Sequence, residues 1–506
     1  MPTRYTATLL TCLAASSMLS SCTPRATSSE DVVTPSASSP LPPIPSATSS
    51  LTAEPTPTKP SATNTPPPIT PIGALRLRAL FPGVSEPNGH GGPDTTIAAG
   101  PDSLVLAMNS TAGIMDRSGT VLDMRSMEDF FYPLHSQGVG GGTDPRVIFD
   151  NATQRFFFVI AEFPEGSQCD PPCPGLLAIA VSKTASPDSL GAGDWHFFAV
   201  NRSVQTRTDG TTYTGYYGDF DNLSTSGDTL AVTWDVDSPA GWLGPGGQAR
   251  FLPTGDLVQG NTGLTWLDIP SIPAHVALNL DGTNGFYLVN STPGDFRIWL
   301  IQNVFSGPAV SSARPLTFSP SLNDPPDAPQ PDGPPIDLLP GKAQAIYTSG
   351  SIWIADVIRK DFGSGIVSAI QWMHIDVTEW PKTRLLQSGI LGADSVWYFA
   401  PAIIADSLGN FCMLYVTASE EEHLSVHYTG RLSADPQGML RPSNTIIAPD
   451  VPYSRVINDR NRFVDYLGIA LDPNDGSVWM LALSPIGGES STTWVANIEW
   501  TVAADQ

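Results

Sequence analysis

The chain has 506 residues, a net charge of −24 and only 15% charged residues, with 45 glycines and 49 prolines. A single ordinary core rarely grows to this length, so the chain contains either several domains or one closed repeat architecture. The acidic balance repels phosphate backbones and argues against nucleic acid as a partner. Frequent glycine and proline, with few long amphipathic helical stretches, favour an all-β chain.

Residues 1–22 predict an export signal. Arg4 gives a small positive start, and Thr6–Leu19 form a mildly apolar run that is too short to span a bilayer. Leu19-Ser20-Ser21-Cys22 resembles a bacterial lipobox, in which the Cys is acylated and becomes the mature N-terminus. We therefore expect Cys22 to carry a lipid anchor. The alternative is an ordinary signal peptide with a Cys near its end.

Residues 23–72 are dominated by Ser, Thr, Pro and Ala. Such a segment cannot bury a core, and its prolines favour an extended polyproline II conformation. It predicts a disordered tether that holds a folded module, residues 73–506, away from a membrane surface. No later stretch has the length and apolarity of a transmembrane helix.

The folded part is built on a repeated hairpin pattern, clearest in Thr143–Glu162, TDPRVIFDNATQRFFFVIAE. A short apolar run, a polar turn and a longer apolar run predict two antiparallel strands. The turns between the runs carry Gly, Asn and Asp, which tolerate the positive φ of tight hairpins. Looser copies occur in Asp94–Ser110, Asp219–Val236, Ala274–Ser291, Lys342–Ile358, Ala400–Ser419 and Asp465–Ser484.

The copies begin about 50 to 75 residues apart, which leaves room for two more strands after each hairpin. Four strands per repeat predict a β-propeller with seven blades, and we expect Ala74–Phe81 to complete the last blade. Six or eight blades are the alternative, because the Lys342–Ile358 copy is weak. Two β-sandwich domains are the rival fold. Asn323–Pro335 is the only candidate linker between them, and we interpret it as a blade-connecting loop.

The four cysteines other than the predicted lipidation site are predicted to play different roles. Cys12 lies within the signal, and Cys412 lies in NFCMLYV and is predicted to be a small buried residue. Cys169 and Cys173, in CDPPC, predict a local disulfide in an exported protein. No second pair accompanies them, so a cysteine-rich metal site is not expected.

An aspartate opens four of the hairpin copies, at Asp94, Asp144, Asp219 and Asp465. Inner strands of a propeller start near one mouth of the central channel, so we expect these carboxylates to converge there. Three further residues are predicted nearby: Arg146, Asp221 and His275.

Three roles fit such a convergence. The carboxylates can accept backbone N–H bonds at the strand starts, a structural role. They can bind Ca²⁺ through oxygen ligands. A pair of them can act as acid and base in glycoside hydrolysis. Of the three, the recurrence of the aspartate as part of the repeat favours the structural role.

Known catalytic motifs are missing. The sequence has no G-x-S-x-G, H-E-x-x-H, P-loop or dinucleotide-binding pattern. Sialidases, which are also propellers, resemble each other in S-x-D-x-G-x-x-W boxes. In Asp475-Gly476-Ser477-Val478-Trp479 the Gly comes one place too early. The sequence therefore does not establish an enzyme.

Several stretches are similar to a family of exported, largely uncharacterised bacterial β-propeller proteins. Thr143–Phe158, LAIAVSKTASPDSLGAGDWHFFAV and GDFDNLSTSGDTLAVTWD resemble its early blades. APAIIADSLGNFCMLYVTAS, LSVHYTGRLSADPQGML and NRFVDYLGIALDPNDGSVWML resemble its last two. The resemblance covers most of Pro93–Val502 and implies a fold and an export route, but no activity. The chain departs from the family at Phe463-Val464, where Trp-Gly is usual.

Taken together, the sequence predicts a monomeric, exported lipoprotein that meets the membrane only through its lipid. Its propeller is expected to bind a glycan or a surface protein at one channel mouth, without a cofactor other than the Ca²⁺ considered above. The alternative is an exported carbohydrate-active hydrolase that uses carboxylates at that mouth.

Overall fold

A computed structural model of the chain describes residues 74–86, 94–162, 175–202, 204–206, 212–214, 217–237, 243–270, 274–283, 285–292, 295–317, 325–338, 343–457 and 459–501. Within these ranges, seven sheets have four or five strands each. We number them as blades 1 to 7 and letter their strands a to d from the central axis outward. The predicted anchor Cys22, the tether and the pair Cys169 and Cys173 lie outside the described residues.

The strand bounds follow in the order a to d. Blade 1 has Thr96–Ala99, Ser103–Met108, Thr111–Asp116 and Val121–Ser126. Blade 2 has Thr143–Asp150, Arg155–Glu162, Leu176–Ser182 and Trp195–Asn201. Blade 3 has Tyr217–Ser226, Thr229–Asp237, Leu243–Pro253 and Leu267–Pro270. Blade 4 has His275–Val276, Phe286–Thr292, Asp295–Gln302 and Ala309–Ser312, with Leu316–Thr317 also paired to strand c.

The remaining blades continue the same plan. Blade 5 has Gln344–Thr348, Ser351–Asp361, Ile366–Glu379 and Lys382–Leu391, and Leu278–Asn279 pairs in parallel with its strand a. Blade 6 has Trp397–Ala405, Phe411–Ala418, Ser425–Arg431 and Asn444–Ile447. Blade 7 has Gly468–Leu471, Val478–Gly487, Ser490–Thr501 and, as strand d, Ala74–Glu86.

Short elements lie in the connections between blades and, for Thr254–Gln259, between strands c and d of blade 3. They are the α-helices Met127–Phe131 and Thr254–Gln259, the 3₁₀ helix Tyr132–Gln137, and the two-stranded ribbons Val204–Thr206 with Thr212–Thr214 and Val456–Ile457 with Arg460–Asn461. No helix within the described ranges has the length and apolarity needed to cross a membrane.

The blades close into a ring around the axis. The inner strands of successive blades lie against each other, and strand a of blade 7 lies against those of blades 6 and 1. The seven-bladed propeller predicted from the sequence is therefore confirmed. We call the channel opening where the strands a begin the start mouth. The opening where they end in hairpin turns is the turn mouth.

The N-terminal strand completes blade 7, as predicted. Ala74–Glu86 pairs antiparallel with strand c of that blade, with Ala74 opposite Thr501 and Glu86 opposite Ser491. Val84 on this strand is fully buried in the core that spans blades 5, 6, 7 and 1. Because strand c ends at the turn mouth, Ala74 also lies at the turn mouth.

The core consists of apolar layers between neighbouring blades. On strand b of blade 2, Phe156 and Phe158 pack toward blade 1, while Phe157 and Val159 pack toward blade 3. Side chains alternate between the two faces of a strand, so a blade between two others buries both faces. This geometry explains why the second run of each hairpin reads as continuously apolar.

The segment that was the only candidate linker is a loop between blades 4 and 5. Gln330 donates from Nε2 to the Tyr453 carbonyl (2.7 Å) and accepts from the Tyr453 amide (2.9 Å). Ala328 and Ile336 are buried on either side of it. The loop is therefore packed onto the propeller, which confirms its interpretation as a blade connection. Cys412 is buried with a free thiol, also as predicted.

Val84→Ala tests how far the N-terminal strand stabilises the ring. The substitution removes buried methyl groups, so we expect a loss of about 2 kcal/mol in the free energy of unfolding. Leu80→Ala on the same strand is the control, because Leu80 is 41% exposed. Urea unfolding followed by tryptophan fluorescence measures both. Equal effects of the two substitutions would contradict the packing described for this strand.

Candidate functional site

The start mouth gathers the four predicted aspartates. The Asp144 carboxyl interacts electrostatically with those of Asp219, Asp94 and Asp465, and the Asp94 carboxyl interacts with that of Asp465. They belong to blades 7, 1, 2 and 3, which are successive around the ring. We call Asp465, Asp94, Asp144 and Asp219 the acidic arc.

The four positions are not equivalent, which corrects the expectation of one shared place in the repeat. Asp94 and Asp144 each stand two residues before the first regularly paired residue of strand a, Thr96 and Arg146 respectively. Asp465 stands three residues before Gly468, the first paired residue of strand a in blade 7. Asp219 is itself paired, with Asp235, and a register shift separates it from the ladder that resumes at Asn222. A register shift also lies between Thr143 and Arg146 in blade 2, and sequence spacing reveals neither shift.

Asp94 joins the first and last blades. Its Oδ1 accepts the backbone N–H of Asp465 (2.7 Å), and its Oδ2 accepts from Asn109 Nδ2 (3.2 Å). Asp94 is 2% exposed. The structural role predicted for these aspartates, accepting a backbone bond at a strand start, therefore applies to Asp94.

Asn109 extends the arc from blade 1 to blade 2. While its Nδ2 donates to Asp94, its Oδ1 accepts the backbone N–H of Asp144 (3.2 Å). Thr143 Oγ1 also donates to Asp144 Oδ1 (3.2 Å), and Asp144 has a φ of 53°. This left-handed conformation is costly for a residue other than glycine, so the surrounding contacts hold it in place.

The Asp144 and Asp219 carboxyls share a hydrogen bond, which requires one of them to be protonated. Burial, then the neighbouring carboxyls, hold the pKa of Asp144 well above its usual range. Burial and the Asp465 carboxylate raise the pKa of Asp94 to about 8. The arc therefore retains protons near neutral pH. The side chain of Asp219 is only half-buried.

Two cations flank the arc. Arg462 forms an ion pair with Asp465 and also interacts electrostatically with Asp94 and Asp219. The Arg146 guanidinium lies 3.3 Å from the centre of the Tyr466 ring. Tyr466 is buried, and its hydroxyl donates to the Pro145 carbonyl (3.0 Å).

The other two predicted site residues are placed differently. His275 Nδ1 contacts Asn222 Nδ2 (3.0 Å), and its Nε2 lies 3.7 Å from Asp235 Oδ1. Asp235 is paired with Asp219 across blade 3, so His275 flanks the arc and contacts side chains of blade 3. Asp221 lies in strand a of blade 3, but its side chain is outside what the structure describes.

A calcium site fits these residues poorly. Both oxygens of Asp94 accept bonds from protein donors, and Asp144 is hydrogen-bonded to Asp219, so these carboxyls are already engaged by protein groups. Among the described residues, no group of three or more His, Cys, Asp or Glu side chains is arranged to hold a metal ion.

Sequence analysis overlooked Asp356, on strand b of blade 5. Its side chain is 1% exposed, and Oδ2 has no hydrogen-bond partner among the described residues. It lines, together with Asp465, a cavity of about 20 Å³. Burial raises the pKa of Asp356 to about 6. Blade 5 has no aspartate at the start of its repeat, and nothing in the pattern marks a carboxylate on strand b.

Asn109, Arg462 and Tyr466 were also missed as members of the site. Arg462 and Tyr466 stand close to Asp465 in NRFVDYL, and this proximity in the sequence could have indicated that they belong to the site. Asn109 stands at the end of the first hairpin and had no comparable signal.

The sequence matches no protein family and no curated protein. Solved structures with a related shape include a Trypanosoma rangeli sialidase in complex with the inhibitor DANA (8% identity, TM-score 0.35), where 80% of this chain and 60% of the sialidase are covered. A protein of unknown function from Dyadobacter fermentans has 9% identity and a TM-score of 0.39, with 84% and 99% covered. Polysaccharide lyase Uly1 has 10% identity and a TM-score of 0.39, with 81% and 91% covered.

This chain thus spans about 60% of the sialidase's length. At these identities and TM-scores, the similarity assigns no function to this chain.

The acidic arc predicts that stability decreases as pH rises. The pKa of Asp94 is about 8 in the folded protein against an ordinary value of 3.8, so folding favours the protonated form. Its contribution is complete below pH 4 and is lost as the pH rises toward 8. Urea unfolding between pH 5 and pH 9 should show this decline, and Asp94→Asn should reduce its slope.

Asp450→Asn is the control for this measurement, because the Asp450 side chain is fully exposed. It replaces a carboxyl by an amide outside the arc and should keep the slope of the unmodified protein. A slope that Asp94→Asn leaves unchanged would contradict the protonated state assigned to Asp94.

Proposed function

We propose that this protein is a surface lipoprotein, anchored through Cys22 and the tether of residues 23–72, whose propeller binds a glycan at the start mouth. The observation that carries the binding role is the hydrogen bond between the Asp144 and Asp219 carboxyls. It places a protonated and an ionised carboxyl side by side, and the side chain of Asp219 is only half-buried.

Such a pair suits sugar hydroxyl groups. A hydroxyl both donates and accepts hydrogen bonds, and the arc offers acceptors on its carboxylates and donors on Arg462. Charge-assisted hydrogen bonds of this kind are stronger than neutral ones. A surface protein is the alternative ligand, and a glycan array without any bound glycan would favour it.

The spacing favours binding over glycoside hydrolysis. Retaining glycosidases hold their two carboxyls about 5 Å apart and inverting ones hold them farther apart. The Asp144 and Asp219 carboxyls are within hydrogen-bonding distance, which is closer than either arrangement. The Asp94 carboxyl is committed to the Asp465 amide and to Asn109.

Asp219→Asn tests the glycan proposal. A glycan array with the full chain should identify bound glycans, and the substitution should weaken their binding about tenfold, because a charge-assisted acceptor is lost. Asp228→Asn is the control, since Asp228 lies exposed in the hairpin turn of the same blade. No glycan bound by the unmodified protein, or equal affinities for both variants, would refute the proposal.

Cys22→Ala tests the anchor separately. Loss of the acylated thiol should move the protein from the membrane fraction to the soluble exported fraction, measured by immunoblotting of fractionated cells. Cys12→Ala removes a cysteine within the signal itself and should leave membrane retention unchanged. Continued retention of the Cys22→Ala protein would rule out lipid attachment at this residue.

A further inference from the structure

A second cavity lies at the opposite end of the channel from the acidic arc. It has a volume of about 330 Å³ and is lined by the ends of strands a from several blades. Asn151, Ala152, Asp281 and Gly282 on its edge are exposed, so the cavity reaches the surface at the turn mouth.

The walls of this cavity are apolar. Ile97, Val147, Leu278, Leu280 and Ile469 line it, from blades 1, 2 and 7 and from the segment between strands a and b of blade 4. Removing apolar surface from water at such walls favours an apolar occupant by roughly 25 cal/mol per Å². The walls therefore select for a hydrocarbon or aromatic body.

The rim of the cavity carries two carboxylates that neighbouring blades hold in position. Asp281 Oδ1 accepts from Thr348 Oγ1 (2.9 Å), and its Oδ2 accepts the Ser349 amide (2.6 Å). Asp150 Oδ1 accepts from Thr225 Oγ1 (2.8 Å). An ionised carboxylate has about four acceptor positions, so Asp281 retains room for a ligand donor.

The charge of the rim is not neutralised from within the cavity. None of the described residues that line it is Lys, Arg or His. An anionic head group would meet two carboxylates and no counter-charge, whereas a cationic one would gain an ion pair at Asp281. The cavity thus has apolar walls, which favour an apolar ligand body, and a rim that favours a positively charged head group.

We infer that the turn mouth binds a small amphiphile with an apolar body and an ammonium head group. The body occupies the channel between the inner strands, and the ammonium group donates to Asp281 at the rim. This site is separate from the acidic arc and does not depend on glycan binding there.

Three probes with one hydrocarbon chain and different head groups test this inference. Octylamine, octanol and octanoate are titrated into the purified full chain by isothermal titration calorimetry. Octylamine should bind most tightly, octanol about fivefold more weakly, and octanoate not measurably, because exposed ion pairs contribute up to about 1 kcal/mol. Octanoate binding as tightly as octylamine would overturn the inference.

Two substitutions separate the rim from the walls. Asp281→Asn should bring octylamine to the affinity of octanol, while Asp450→Asn, which removes an exposed charge away from the cavity lining, should change nothing. Ala470→Phe fills space between the inner strands and should weaken octylamine and octanol about tenfold or more. A thermal unfolding scan checks that each variant is folded, and unchanged octylamine binding by folded Ala470→Phe would refute the site.

Discussion

In the described ranges, the inner strands other than that of blade 5 have one edge without a strand partner, and the structure depends on how those edges are satisfied. A buried backbone N–H without an acceptor is costly, so each edge needs partners from outside its own sheet. Side chains of neighbouring blades supply them. Thr96 Oγ1 accepts the Val147 amide (3.0 Å), and Thr95 Oγ1 accepts the Gly468 amide (3.0 Å).

The acidic arc extends this arrangement to the start mouth. Asp94 does for the Asp465 amide what the threonines do further along the strands, and it thereby places a carboxyl beside three others. Burying several carboxyls together raises their pKa values, because the charged forms lose water and repel one another. The hydrogen-bonding capacity of the mouth is thus a consequence of how the ring is joined.

The blades could be predicted from the sequence because their signals are local. Apolar runs and turn residues act within about 20 residues, and their recurrence located the hairpin of strands a and b in each blade. The contacts that build the site are not local. The bond from the Asp465 amide to Asp94 joins residues 371 positions apart, and the role of Asn109 follows from the register between blades.

For the same reason, Asp94 and Asp465, which look alike in the repeat, stand two and three residues before the first paired residue of strand a. Asp356 shows the limit most clearly, because it faces the mouth from strand b of the blade whose copy is weakest.

The pairing of Ala74–Glu86 with Ser490–Thr501 has a consequence for the order in which the protein folds. If the chain emerges from an export channel with its N-terminus first, this strand waits without its partner until almost all the other blades have been delivered. Contacts at such sequence separation form slowly, and open strand edges invite association with other chains. Folding outside the cell would therefore end with ring closure, and the interval before closure is when the chain most needs protection from its neighbours.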